Sequence, residues 1–403
     1  MTKSLVICCD GTWNTPDQGR RGIKAPTNVA KMALGLARED ADGRPQLLHY
    51  ERGVGTRRFE HVRGGMFGFG LSRNVRSCYR FVVDNYEPGD RLYFLGFSRG
   101  AYTARSTVGL IRNCGVLRAE HRDRIDDAYS LYRDRDTERT GPESLEARLF
   151  RRMYSHEDAP IHFLGVWDTV GSLGVPIDGL PIPQIISRHW TFHDTDLSSH
   201  VASAYQALAI DEQRRPFTPT LWTRQDHADG QLLEQVWFAG AHSDVGGGYP
   251  EPELAEIPLL WMVDRARARG LAFEPDHFVV MQRLPADDVR RTLAQRVAPD
   301  ALGRQHDSFT LKYRLLGRRR RRLGTENAQS VASSAVERVG ADGSYRPAGL
   351  RQFLGAGGRV TGVGDGARAP GRWRCTTRGY GRLGSSAYER RYVGVVTFAE
   401  DDD

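Results

Sequence analysis

The sequence predicts an α/β fold: a mostly parallel sheet with helices on both faces, followed by a flexible C-terminal tail. Three observations point there. Short apolar runs alternate with runs of helical periodicity through the first two-thirds of the 403 residues. One apolar run, Arg91 to Phe97, turns sharply through Gly-x-Ser-x-Gly and continues as a helix. Two others, Ile161 to Trp167 and Glu234 to Ala239, break off into loops that carry an aspartate and a histidine.

Taken in order, Leu5 to Cys9 reads as a buried strand and Val29 to Leu36 as a helix. Gln46 to Tyr50 is a second strand. Val75, Cys78, Tyr79, Val82 and Val83 recur at helical spacing, which predicts a helix from Asn74 to Tyr86. Pro88-Gly89-Asp90 ends it and starts the strand Leu92 to Leu95. The densely charged stretch from Arg118 to Glu157 predicts surface helices inserted between strands. After the strand Ile161 to Trp167, Pro176, Pro181 and Pro183 interrupt apolar sequence between Gly171 and His200, the pattern of a lid or acyl-chain rim. Val201 to Ile210 reads as a helix, Glu234 to Ala239 as a strand, and Leu259 to Arg269 as a helix stopped by Gly270. Periodic apolar content then fades. The expected division is a catalytic domain over 1–350 and a Gly/Arg-rich disordered tail over 351–403, with a short strand at Val393 to Phe398.

Composition narrows the function classes. The formal charge is +7, and its densest block is Arg318 to Arg322. That block has no interleaved aromatics, so it reads as a solvated basic segment, and no nucleic-acid partner is expected. The five cysteines, Cys8, Cys9, Cys78, Cys114 and Cys375, form no Cys-x-x-Cys pair and read as buried reduced thiols, not a zinc site. Lys3-Ser4 runs straight into the first strand with no signal-peptide core, and no run is apolar for long enough to span a bilayer. A cytoplasmic protein is expected, or one exported by a secretion system that needs no cleavable signal.

The chemistry starts at Ser98, in Gly96-Phe97-Ser98-Arg99-Gly100. Strand, tight turn and helix in this order make a nucleophile elbow, the device of α/β-hydrolases. Gly96 and Gly100 are expected because a side chain there would strike the helix or the neighbouring strand. A serine hydroxyl needs a base, and the base needs an orienting acid, in the order Ser, Asp, His along such chains. Asp168 ends the run Ile161 to Trp167, and His242 leaves the run Val236 to Ala239 into a glycine-rich loop. Asp211 is the rival acid, but it closes the expected helix 204–210 and so points away from the strand edge. Backbone N–H groups of Arg99 and of Gly11 or Thr12 are the expected oxyanion donors, with Asp10 bracing their loop and Asp244 supporting the histidine loop. This mechanism requires no metal and no cofactor.

Two other chemistries fit less of the chain. Asp10-Gly11-Thr12 after a strand is similar to the opening of haloacid-dehalogenase-type phosphatases, but their nucleophilic aspartate would fall on Cys8. Asp10, Asp168, His242 and Asp244 could instead ligate a divalent metal, which leaves the elbow unexplained. A hydrolase fold kept only as a binding scaffold is the alternative outside enzymology.

Several runs together resemble a family of uncharacterised α/β-hydrolase domains that includes the catalytic domains of type VI secretion phospholipase effectors. They are Cys9 to Asn14, Gly53 to Thr56, Gly68 to Leu71, Gly96 to Arg105, Val166 to Gly171, Gly240 to Tyr249, Leu259 to Gly270 and Tyr345 to Pro347. The resemblance covers roughly residues 4 to 350. It implies Ser98, Asp168 and His242 as a triad, hydrolysis of carboxylic esters such as phospholipid acyl esters, and peripheral contact with a membrane. No large membrane-anchoring region is expected beside this domain.

Overall fold

The computed structural model describes every residue except 1, 12–13, 15–17, 21–22, 54–65, 135, 171–195, 226–227, 284–295, 311–312, 314–316, 364–370, 376–395 and 399–403. The expected lid lies almost wholly within 171–195, outside the described residues.

Eight parallel strands form the centre: β1 (Ser4–Cys9), β2 (Gln46–Glu51), β3 (Arg91–Phe97), β4 (Ile161–Trp167), β5 (Ser203–Ala209), β6 (Leu232–Phe238), β7 (Gln329–Ala332) and β8 (Arg359–Thr361). Their order across the sheet is β2-β1-β3-β4-β5-β6-β7-β8. β9 (Gly371–Cys375) and β10 (Val396–Phe398) extend the β8 edge in antiparallel fashion. The strand order reverses between β1 and β3. The crevice beyond the carboxyl ends of those two strands is where open α/β sheets bind ligands.

Alternation along β1 decides the two faces. Leu5, Ile7 and Cys9 pack with Val75, Cys78, Tyr79, Ala101 and Val108 of α2 (Met66–Asn85) and α3 (Arg99–Cys114). Val6 and Cys8 pack on the other face with Val29 and Met32 of α1 (Asn28–Gly35) and with residues of a helix late in the chain. Because both faces are covered, the strands read as continuous apolar runs instead of alternating ones. Cys8, Cys9, Cys78 and Cys114 are buried and form no disulfide. The charged insert folds as α4 (Ile125–Arg133) and α5 (Leu145–Tyr154).

The segment read as a helix over 201–210 is β5, buried at every position. Ala204, Ala207 and Ala209 favour helix intrinsically, but a strand sandwiched between β4 and β6 takes small residues where helices press on both faces. The helix expected from Leu259 is α7 (Glu253–Arg267), after the one-turn α6 (His242–Gly246). α7 starts earlier than expected and carries Pro258 in its second turn, where the ring removes the bond that residue 258 would otherwise give to the Leu254 carbonyl. The sheet also continues past residue 350. α8 (Ser333–Ala341) and α9 (Ala348–Gly355) bury Ala335, Leu350 and Phe353 against Trp237 and Val331, and β8 follows. The fold thus extends beyond the expected boundary, because two short helices and a three-residue strand carry too little periodicity to be seen.

Candidate active site

Three strands deliver the three expected side chains to one rim. Ser98 follows β3, Asp168 follows β4 and His242 opens α6 after β6. The His242 Nε2 lies 2.8 Å from Ser98 Oγ, and its Nδ1 lies 2.6 Å from Asp168 Oδ2. All three are buried.

The backbone at two of these positions is strained. Ser98 has φ 57° and Asp168 φ 38°, a region that side-chain-bearing residues rarely occupy. Surrounding hydrogen bonds hold them there: Ser98 N–H donates to Trp167 O at 3.0 Å, and Asp168 N–H to Ala207 O at 2.7 Å. The tightness of the elbow explains its glycines. A Cβ on Gly96 would lie 2.6 Å from Ala101 Cα, and one on Gly100 would lie 2.1 Å from the Cys9 carbonyl oxygen. Gly100→Ala should therefore cost about 3 kcal/mol or more in urea denaturation, since a backbone carbonyl cannot swing away. An unchanged midpoint would contradict that packing.

Asp168 is the electrostatic centre. Arg321 Nη1 and Nη2 donate to its two oxygens at 2.7 and 3.0 Å, and the Ala209 N–H donates at 3.1 Å. Burial by itself would raise this carboxyl, but Arg321 and then His242 outweigh it and hold it below the usual carboxylate range. Burial likewise lowers His242 from the ordinary imidazole value, against the opposing pull of Asp168. Phe97 and Phe217 flank the imidazole with ring centroids 4.6 and 4.9 Å away.

Arg321 is the residue that sequence reasoning missed. It belongs to the run read as solvated, and its neighbours Arg320 and Arg322 are exposed, yet Arg321 is buried and also donates to Phe217 O at 2.7 Å. Within a block of five arginines nothing local marks one as buried. Glu212 was missed for a similar reason. It lies just beyond β5, accepts from the His242 N–H at 3.3 Å and from Ser308 at 2.9 Å, and pairs with Arg214 at 2.8 Å.

The other expected residues fall as follows. Asp211 stands at the strand edge after all, but its carboxylate accepts from Gly240 N–H at 2.7 Å and Tyr345 OH at 2.8 Å. Burial pushes it up to about 6. Asp244 accepts from Ala241 N–H and from His306, whose Nδ1 is 2.6 Å away, and so ties down the turn bearing His242. Asp10 takes hydrogen bonds from Gly11 N–H (2.6 Å), Thr27 (2.7 Å) and Tyr50; burial pushes it up to about 6. Gly11's N–H is thereby turned to Asp10 and away from an oxyanion role, while Thr12 lies outside the described residues. Arg99 begins α3, so its N–H belongs to the helix's open N-terminal end. Burial pushes its guanidinium down to about 10, which leaves it charged at neutral pH. Of the four groups weighed as metal ligands, Asp168 and His242 are bonded to each other, while Asp10 and Asp244 are held in two other networks.

A family model described as "T6SS, Phospholipase effector Tle1-like, catalytic domain" matches residues 3–265. The uncharacterized protein YEL023C of Saccharomyces cerevisiae is 28% identical over 242 residues, covering 55% of this chain and 33% of that protein. The chain therefore matches about a third of the length of that curated relative. Among solved structures, an uncharacterized protein from Pseudomonas aeruginosa is 17% identical with a TM-score of 0.42, over 68% of this chain and 46% of that one. The Tle1 effector bound to the VgrG spike of the type 6 secretion system is 18% identical with a TM-score of 0.35, over 62% and 51%. With well over half of its residues matched by the family model, the chain belongs to the Tle1-like phospholipase effector catalytic domain family.

Proposed function

We propose that this protein is a serine hydrolase of carboxylic esters, acting on phospholipid acyl chains through Ser98, His242 and Asp168. The reading rests on the hydrogen-bonded run from Ser98 Oγ through both nitrogens of His242 to Asp168. Ser98 Oγ attacks the ester carbonyl while His242 Nε2 takes its proton. The same nitrogen then returns the proton to the departing alcohol, and water repeats the cycle on the acyl-serine. Asp168 keeps the imidazole in the tautomer with Nδ1 protonated. The Arg99 N–H and the Thr12 loop are the proposed oxyanion donors, aided by the positive end of the α3 dipole.

Membership of a phospholipase effector family supports a lipid substrate, peripheral membrane contact and export by a type VI machine. Among the described residues, no helix is long and apolar enough to cross a membrane. A fluorophosphonate probe should label Ser98, and a panel of phospholipids and short esters should then identify the acyl group released. A folded protein that the probe leaves unlabelled would favour the binding-scaffold reading instead.

The acid side of the rate profile carries a further expectation. His242 must be neutral to accept the proton, and burial lowers its pKa below the ordinary 6.5. The neutral base therefore persists to lower pH, and the acid limb of kcat/KM should have its midpoint below about 6.5. A midpoint well above that value would contradict the assignment of the base.

A further inference from the structure

A second cluster of ligating side chains lies behind the elbow, on the α2 face of the sheet. The register pairs Ile7 with His49 and Cys9 with Glu51, so Cys9, His49 and Glu51 all project toward α2. From α2, Cys78 meets them. Among the described residues, His49, Glu51 and Cys78 form a group whose donor atoms all lie within 4.8 Å of one another. Cys9 Sγ lies 3.5 Å from Cys78 Sγ, and His49 Nε2 lies 3.3 Å from Glu51 Oε2.

These two separations can be compared with a tetrahedral zinc centre. With Zn–S near 2.3 Å and Zn–N or Zn–O near 2.0–2.1 Å, the S···S edge is about 3.8 Å and the N···O edge about 3.3 Å. A disulfide instead requires about 2.05 Å between sulfurs, so Cys9 and Cys78 would have to close by about 1.5 Å. The four groups also offer the mixed thiolate, imidazole and carboxylate set that a borderline-soft cation prefers. Stacking on Phe81, with ring centroids 5.0 Å apart, fixes the His49 ring. The two cysteines are buried, while the side chains of His49 and Glu51 are 23% and 14% exposed, which leaves an entry path from solvent.

We propose that His49, Glu51 and Cys78 bind a structural divalent cation of the zinc class, and that Cys9, which lies outside that group but 3.5 Å from Cys78 Sγ, swings in as the fourth ligand when the ion binds. Such a centre would clamp β1, β2 and α2 together at the end of β1. It would lie one residue before Asp10, on the strand whose Cys9 carbonyl abuts Gly100. Its role is to stiffen the strand end that supports the elbow; it supplies no reacting group. No motif announces it, because the ligands come from three elements instead of one Cys-x-x-Cys turn.

The test reads metal content, not hydrolysis, so its outcome is independent of the triad. The full chain, purified from zinc-supplemented cells and dialysed against metal-free buffer, should carry about one zinc per chain by elemental analysis. Cobalt(II) in its place should give thiolate-to-metal charge-transfer absorption. His49→Ala and Cys78→Ser should each bring the zinc towards zero, whereas Cys8→Ser, on the opposite face, should leave it unchanged. If Cys78→Ser does not fold, the half-buried pair His49→Ala and Glu51→Gln still decides the matter. A wild-type chain that neither retains zinc nor gives the cobalt spectrum would overturn the proposal. So would zinc that survives His49→Ala with Glu51→Gln, or an intact mass showing Cys9 and Cys78 oxidised to a disulfide.

Discussion

Ser98→Ala is expected to lower turnover of a short-chain ester by about three to six orders of magnitude while the protein stays folded. The hydroxyl is the only part of the arrangement that forms a bond to the substrate in the proposed mechanism. Removing it leaves oxyanion donors and binding, which together sustain a small residual rate. The same position should separate activity from stability. At φ 57° and ψ −120°, Ser98 occupies backbone space that favours glycine and costs a residue with a side chain about 1–3 kcal/mol. Ser98→Gly should therefore be as inactive as Ser98→Ala, yet more stable than it by roughly 1 kcal/mol in urea denaturation. Near-normal turnover in either variant would remove Ser98 from the chemistry.

Arg321→Gln is expected to have the largest effect on stability, a loss of about 3–5 kcal/mol at neutral pH. It leaves the Asp168 carboxylate buried without its two-pronged partner. The pH dependence gives the sign. Asp168 is held below its unfolded value, so its contribution is present at neutral pH and is lost as pH falls below about 4. The variant should show less of that acid sensitivity. Catalysis should shift as well. Without Arg321, more of the Asp168 charge acts on the imidazole, so the acid limb of kcat/KM should move to higher pH. Arg321→Lys should restore charge without the paired geometry and recover only part of the stability. Unchanged stability together with an unchanged acid limb would mean that Arg321 does not govern the aspartate.

Much of this site was legible in the sequence, and for identifiable reasons. Gly96 and Gly100 flag a turn in which there is no room for Cβ, and both near-contacts are present. Asp168 and His242 were found because each directly leaves an apolar run, and a parallel sheet gathers the ends of such runs on one edge. The oxyanion loop was read less well. The Gly11 N–H goes to Asp10, since a buried carboxylate attracts whatever donor lies nearest.

What the sequence by itself determined is the set of elements that local pattern controls: the strands, the strained turn and the order of the three polar side chains. What only the tertiary structure decided is where burial overrides local preference. The alanine-rich segment 203–209 became a central strand because β4 and β6 offered its backbone hydrogen bonds. One arginine of five went inside because a buried carboxylate, 153 residues earlier in the chain, required a counter-charge. Both outcomes depend on partners distant in sequence, and no local periodicity or charge run encodes the distance between them.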